Sequence, residues 1–305
     1  MDSNAVGQTA AVLASGVWTV SSIYFTSAGK RIGSLSVNAY RTTMAVAFLT
    51  VTHAILLRSL LPAASGAQWF WLGLSGVVGL SVGDSGLFAA YVTIGPRRSL
   101  LLMALSPIFA ALGGLVMLGE TIPVLDMVGI VITLAGVWVV VLEREDRSGE
   151  PAISKRMKSY GVLFGLIAAA GQGIGLVLAK KGITLNPASA LDPLSATLIR
   201  MILGALALWV VLVAAGRWTG LRNAASNGRG MRDTTVAAVL GPFVGVTLSM
   251  VAVTYTQTGV AQTLLSLMPV MIIPIVWRLY GQRTSWRGIL GAITAVIGVA
   301  TLFLS

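Results

Sequence analysis

Three charged side chains stand where the surrounding residues are almost all apolar. Asp84 interrupts the run LSVGDSGLF, and Arg41 and Arg200 lie roughly two helical turns inside two other apolar blocks. An ionised carboxylate at the centre of a bilayer costs at least ~2.5–3.5 kcal/mol on insertion scales, so it persists only where it faces water, meets a cation or carries a proton. Balanced between a cation and a proton, Asp84 could take up and release that proton in a coupled cycle. Arginine stays charged, and its planar fork of donors matches a carboxylate or a phosphate. Arg41 and Arg200 are therefore candidates for holding an acidic group. The competing reading makes Asp84 one end of a structural ion pair, and has the arginines reach the headgroups or the last carbonyls of a helix.

Other polar and aromatic groups could share one cavity with these. Tyr91 is seven residues beyond Asp84 and so shares its helix face. Trp18 lies with Ser21 and Ser22 on the first apolar block, Gln172 and Tyr255 sit within later blocks, and Gln262 and Ser266 are four apart. A mildly polar, aromatic-lined cavity suits a small amphipathic solute. Each alone is equally compatible with packing or an interhelical hydrogen bond. Pro107 and Pro269 each remove a backbone hydrogen bond and are expected to kink their helices, which makes them candidate hinges. Glu120, in GETIP, precedes a helix start marked by Pro123 and is expected to favour that helix's dipole. His53 is expected to be buried and hydrogen-bonded, a pH-sensing role being the weaker alternative. With no cysteine and a single histidine, disulfides and His/Cys metal sites are not expected. No P-loop or dinucleotide motif is present, which argues against an enzyme or an ATP-driven pump, and no cofactor is expected.

These residues must be positioned by membrane helices. The 305 residues are 56% hydrophobic and 10% charged, with a mean hydropathy of +0.87, where a soluble chain carries about a quarter charged residues. The apolar blocks are about 20 residues long, the length of a spanning helix. Ten spans are expected, at about 8–27, 35–57, 69–92, 97–118, 122–142, 160–179, 193–215, 234–256, 260–280 and 286–304. Two polar segments, EREDRSGEPAISKRMKS and GRWTGLRNAASNGRGMRD, are expected to lie in water as loops. The chain then divides into residues 1–145, a linker at 146–158, and residues 159–305.

The two halves repeat each other. Shifted by 162 residues, Gly79 falls on Gly241, Gly83 on Gly245, Pro107 on Pro269, Gly119 on Gly281, Gly129 on Gly291 and Gly136 on Gly298. Span two aligns with span seven at 159, placing Leu35 on Leu194, Ser36 on Ser195 and Arg41 on Arg200. No register emerges for spans one and six. Asp84 falls on Val246, so the carboxylate is not part of the shared scaffold. Five spans per half is an odd number, so the second half enters the membrane from the opposite side, the inverted-repeat architecture of many secondary transporters. In such folds a site lies near the midplane between the halves. The Gly79-xxx-Gly83 and Gly241-xxx-Gly245 pairs read as close helix contacts.

The stretch LSPIFAALGGLVMLGETIPVLDMVGIVITLAGVWVV resembles the EamA-type repeat of the drug/metabolite transporter superfamily. Pro107, Gly119-Glu120, Gly129 and Gly136 carry the likeness, with Pro269, Gly281, Gly291 and Gly298 in the second half; Gln282 replaces the family's frequent glutamate. The resemblance implies a ten-helix transporter, driven by a proton gradient or by exchange, with amino acids, other metabolites, nucleotide sugars or drugs as the family's range of solutes. The expected function is alternating-access transport, in the export direction, of a small polar or amphipathic metabolite across the plasma (bacterial inner) membrane. A flippase for a lipid-linked or anionic lipid and a non-transporting scaffold are the rival readings.

Of 21 Lys and Arg, Arg41 and Arg200 lie inside spans, leaving 19; odd-numbered loops hold 16 of these, and even ones hold Arg58, Lys180 and Lys181. The positive-inside rule places odd loops in the cytoplasm and both termini outside, opposite to the arrangement usual in the resembled family. The N-terminus MDSNAVGQTA lacks a basic n-region, so the first block reads as a retained helix. The net charge of +11 is a topology signal and excludes nucleic acid as a partner. A small-molecule substrate and membrane lipids are the expected partners, with homodimer formation left open.

Overall fold

The computed structural model describes residues 3–142, 155–185, 190–280 and 285–303, leaving out a few side chains within helices, that of Tyr91 among them. Every regular element among the described residues is helical. The first half comprises α1 (Ser3–Ile32), α2 (Ser34–Leu57), a continuous rod of α3 (Gly66–Gly76), a π-helical turn π1 (Val77–Gly83) and α4 (Asp84–Met103), then α5 (Ser106–Leu118) and α6 (Val124–Leu142). The second comprises α7 (Lys155–Thr184), α8 (Pro193–Ala214), short α9 (Trp218–Ala225), the rod α10 (Gly228–Ala238), π2 (Val239–Gly245) and α11 (Val246–Tyr255), then α12 (Thr258–Leu265), α13 (Met268–Tyr280) and α14 (Trp286–Phe303). Nine described helices are long and apolar enough to cross a membrane, and Ser106–Leu118 is a shorter apolar tenth. The chain is an integral, multi-pass membrane protein.

The repeat reappears in the backbone residue by residue. Both π turns obey the 162 shift, running Val77–Gly83 and Val239–Gly245. Both halves also break at equivalent places, at Ala104-Leu105 directly after α4 and at Ser266-Leu267 after α12. Leu105 N donates to Leu102 O and Ile108 N to Leu105 O; in the other half Leu267 N donates to Leu264 O and Val270 N to Leu267 O. Helix α6 lies on α14 with Gly129 against Gly298 and Gly136 against Gly291. The numbers rise on one helix as they fall on the other, so these equivalent spans run antiparallel and the repeat is inverted. A Cβ on Gly136 would come 2.5 Å from the carbonyl oxygen of Gly291, and one on Gly298 would meet Thr133. Small residues bring the backbones into contact, the usual source of helix association in lipid.

The halves also interlock. Helix α1 packs on α10, π2 and α11 of the second half, while α7 packs on α3, π1 and α4 of the first. Gly7 meets Tyr255 and Thr256, whereas Gly161 meets Thr93 and Ile94. Because Thr93 and Ile94 are 162 residues before Tyr255 and Thr256, α1 and α7 correspond at a shift of 154. The sequence withheld this register because, beyond Gly7 with Gly161 and Ala14 with Ala168, the paired residues differ in type.

Several expectations need correction. The break expected near 93–96 is absent, and α4 runs on to Met103. Pro107 therefore does not kink a helix from inside. It stands in the first turn of α5, where its missing N–H costs nothing. Pro269 is likewise the second residue of α13, and the chain breaks ahead of both prolines. The second polar segment is not a plain loop: it contains α9 and the start of α10, with Leu221 and Ala224 buried and Leu221 O accepting from Tyr40 Oη at 2.8 Å. The linker at 146–158 falls mostly outside the described residues, and its last four belong to α7.

Candidate functional site

Asp84 is the residue at which π1 returns to α-helix. A π turn tilts the following helix and is frequent at functional sites. It aims Asp84 at α2 and α7, where both carboxylate oxygens are taken. Arg41 donates through Nη2 to Oδ2, and Gln172 Nε2 donates to Oδ1 at 2.7 Å. Asp84 is only 8% exposed. The cation that answers Asp84 in this conformation is therefore Arg41.

Arg41 has further partners besides Asp84. Its Nε donates to Asn38 Oδ1 at 2.8 Å, one helical turn back on α2. Its guanidinium carbon lies 4.9 Å from the centre of the Phe25 ring and 5.6 Å from that of Phe88. Both distances suit attraction of a cation by an aromatic face.

Arg200 differs. It is 4% exposed on α8, with Nη2 facing Gly79 of π1, and its charge also acts on Asp84. Its one described hydrogen bond runs from Nη1 to the thioether sulfur of Met250 at 3.3 Å, and its Nε has no partner. A thioether is a weak acceptor. The two arginines, equivalent in the repeat, thus have unequal roles, because Asp84 has no counterpart on the other side.

Trp18 and Gln172 prove to be repeat partners at the 154 shift. Trp18 Nε1 donates to Gly241 O of π2 at 3.3 Å, and Gln172 Nε2 donates to Gly79 O of π1 at 3.3 Å. Each fastens the other half's π turn by the same carbonyl. The contacts around them mirror too: Ser21 Oγ donates to Ala237 O at 2.9 Å, and Ser75 Oγ donates to Gly175 O.

The remaining candidates separate from this cluster. Gln262 Nε2 donates to Ser106 Oγ at 2.5 Å and ties α12 to α5 beside the first break, while Ser266 bonds back to Gln262 O within its own helix turn. Tyr255 is 46% exposed at the end of α11, alongside Gly7 and eleven residues along α1 from Trp18, so it does not join the cluster. The Tyr91 side chain lies outside the described residues. His53 is buried between Ser59 O, at 2.5 Å from Nδ1, and Ser195 Oγ, at 3.0 Å from Nε2, as expected of a structural histidine.

Glu120 does not serve the helix that follows it. Its carboxylate reaches the start of α12, accepting from Thr258 N at 3.0 Å and from Thr258 Oγ1 at 2.6 Å, and it pairs with Lys180 Nζ at 2.6 Å. Lys180 also donates to Thr256 O at 2.6 Å. Lys180 and Lys181 are thus helical residues of α7, not loop charges, and Lys181 lies 4.1 Å from the Trp71 ring centre. This network ties the α5–α6 link of one half to α7 and the α11–α12 link of the other.

Asn38, Phe25, Phe88 and Met250 escaped the sequence reading. Asn38 had a signal, since it stands three residues before Arg41 on one helix face. Met250 and the phenylalanines had none.

Comparison with known proteins agrees with this architecture. A solved structure, described only as the crystal structure of a protein, superposes with a TM-score of 0.75 over 99% of this chain and 96% of its own, at 14% identity, a likeness of fold alone. None of the curated proteins matches. The family profile of the EamA-like transporters matches twice, over residues 5–142 and 159–304. The chain belongs to the EamA-like transporter family.

Proposed function

We propose that the protein is a secondary transporter that exports a small polar or amphipathic metabolite by alternating access. The reading rests on one observation above others. Arg41 and Asp84 from the first half meet Gln172 and Arg200 from the second where the interlocked halves pack on π1. A substrate held there touches both moving bodies, which is what alternating access requires. The scaffold reading needs Asp84, Arg41 and Arg200 to be fully paired with no cavity between the halves, and the unpartnered Arg200 Nε speaks against the pairing. The paired breaks before Pro107 and Pro269 supply hinges, because each interrupts the helical hydrogen-bond ladder at equivalent places.

Coupling to protons passes through Asp84 in this reading: protonation would free Arg41 and loosen α4 from α2. Odd loops face the cytoplasm, which puts the Glu120–Lys180 network on the outer side. Compounds that raise the melting temperature in a metabolite screen should accumulate in proteoliposomes under an imposed pH gradient. If Asp84→Asn transports like the wild type with its pH dependence intact, the proton role is wrong. If no stabilising compound is moved by the wild type, the transporter reading fails. A periplasmic reporter fused at Ser305 should be active, and activity of a cytoplasmic reporter alone would reverse the orientation.

A further inference from the structure

We infer that Arg200 alone carries the substrate's charge, and that the substrate is an organic monoanion, a single carboxylate on an apolar body. The inference rests on the cluster being the transport site, and it departs from a clamp made by both arginines.

The charges decide it. Arg41 and Asp84 neutralise each other through a direct contact, and Asp84 has spent both oxygens. One buried guanidinium remains, with a thioether as its partner and a free Nε. A desolvated cation with no carboxylate in direct contact is costly, and one negative charge brought against it lowers that cost. The described carboxylates elsewhere are engaged or remote. Glu120 pairs with Lys180, Asp192 caps α8, Asp233 accepts from Ser27, and Asp126 lies on α6, which packs chiefly on α14. A dianion such as a phosphate monoester would over-compensate and leave a buried negative charge.

The shape agrees. A side-on carboxylate uses the Nε edge of a guanidinium, and that edge is buried without a hydrogen-bond partner. The described contacts of the guanidinium are apolar: Nη1 lies on the thioether of Met250, itself fully buried, and Nη2 faces Gly79 of π1. A hydrocarbon or aromatic body beside the carboxylate would meet those groups, whereas a second polar group would find few partners there.

The test is equilibrium binding to purified protein near neutral pH by titration calorimetry. The probes are phenylacetate, octanoate and indoleacetate, with phenylacetamide as the neutral match and phenylmalonate as the dianionic one. At least one of the acids should bind about tenfold tighter than either match. Arg200→Gln should remove that preference, Arg200→Lys should restore part of it, and Asp84→Asn, which adds one net positive charge, should move the preference toward phenylmalonate. Binding by none of the acids, equal binding of acid and amide, or no shift in Asp84→Asn would overturn the inference. Transport of a neutral compound insensitive to Arg200→Gln would sink it while leaving the transporter reading intact. A bound acid that is never transported would do the reverse.

Discussion

Removing Arg41 should cost more than removing the Arg41–Asp84 pair. In Arg41→Gln, Asp84 keeps its bond from Gln172 but loses its cation at 8% exposure. Stripping one partner from a buried ion pair costs ~3–5 kcal/mol, because the other charge is left uncompensated. The loss of two aromatic contacts, to Phe25 and Phe88, adds about 1 kcal/mol. Arg200 offsets part of this, since its charge also acts on Asp84. The melting midpoint should fall by on the order of 10 °C. The double variant Arg41→Gln/Asp84→Asn places two amides in the same space, where they can bond to each other and to Asn38 and Gln172. It should recover most of the loss, with a coupling energy of at least ~2 kcal/mol. Reversible unfolding in mixed detergent and SDS, run on the wild type, both single variants and the double, closes the cycle. Additive single effects would show that the contact between Arg41 and Asp84 does not hold α2 against α4.

Three further expectations concern the scaffold. Gly136→Val should abolish folding or cost more than ~3 kcal/mol, since the new side chain would enter the backbone of α14 at Gly291 and Ala295; a normally folded variant seen by size exclusion would refute the α6–α14 contact. Trp18→Phe keeps an aromatic ring but removes the bond to Gly241 O and part of the indole's packing, and should cost at least about 1 kcal/mol; an unchanged stability would mean that π2 does not need its fastener. Lys180→Met strands the Glu120 carboxylate, and should lower the melting midpoint and raise thiol labelling of a cysteine placed at Thr258 from the even-loop side. Unchanged labelling would show that this network does not hold the α5–α6 and α11–α12 links together.

The features legible in the sequence are those fixed by backbone geometry. Gly79, Gly83, Gly129 and Gly136 stand where chains touch, Pro107 and Pro269 follow the breaks, and each recurs in the second half because no other residue serves there as well. The register of α1 on α7 stayed hidden for the converse reason. An indole at Trp18 and a carboxamide at Gln172 share no chemistry except one N–H donor, and that donor is all the π turn requires. The inequality of Arg41 and Arg200 was half visible, since Asp84 aligns with Val246; which arginine Asp84 would choose depended on the π turn that aims it. Glu120 was misassigned because its partners, Lys180 and Thr258, are 60 and 138 residues away in sequence, beyond the reach of any local pattern. The exposure of Tyr255 followed from the end of α11, which hydropathy alone placed within a span.

The central claim is that the cluster on π1 is reached from each side of the membrane in turn. The chain contains no cysteine, so a single thiol introduced by Gln172→Cys, beside Asp84, reports by itself. Its reaction with a membrane-impermeant maleimide is measured in right-side-out and in inverted vesicles. The account predicts labelling from both sides, slowed on at least one of them by a transported compound. Labelling from one side only, unaltered by any such compound, would contradict it.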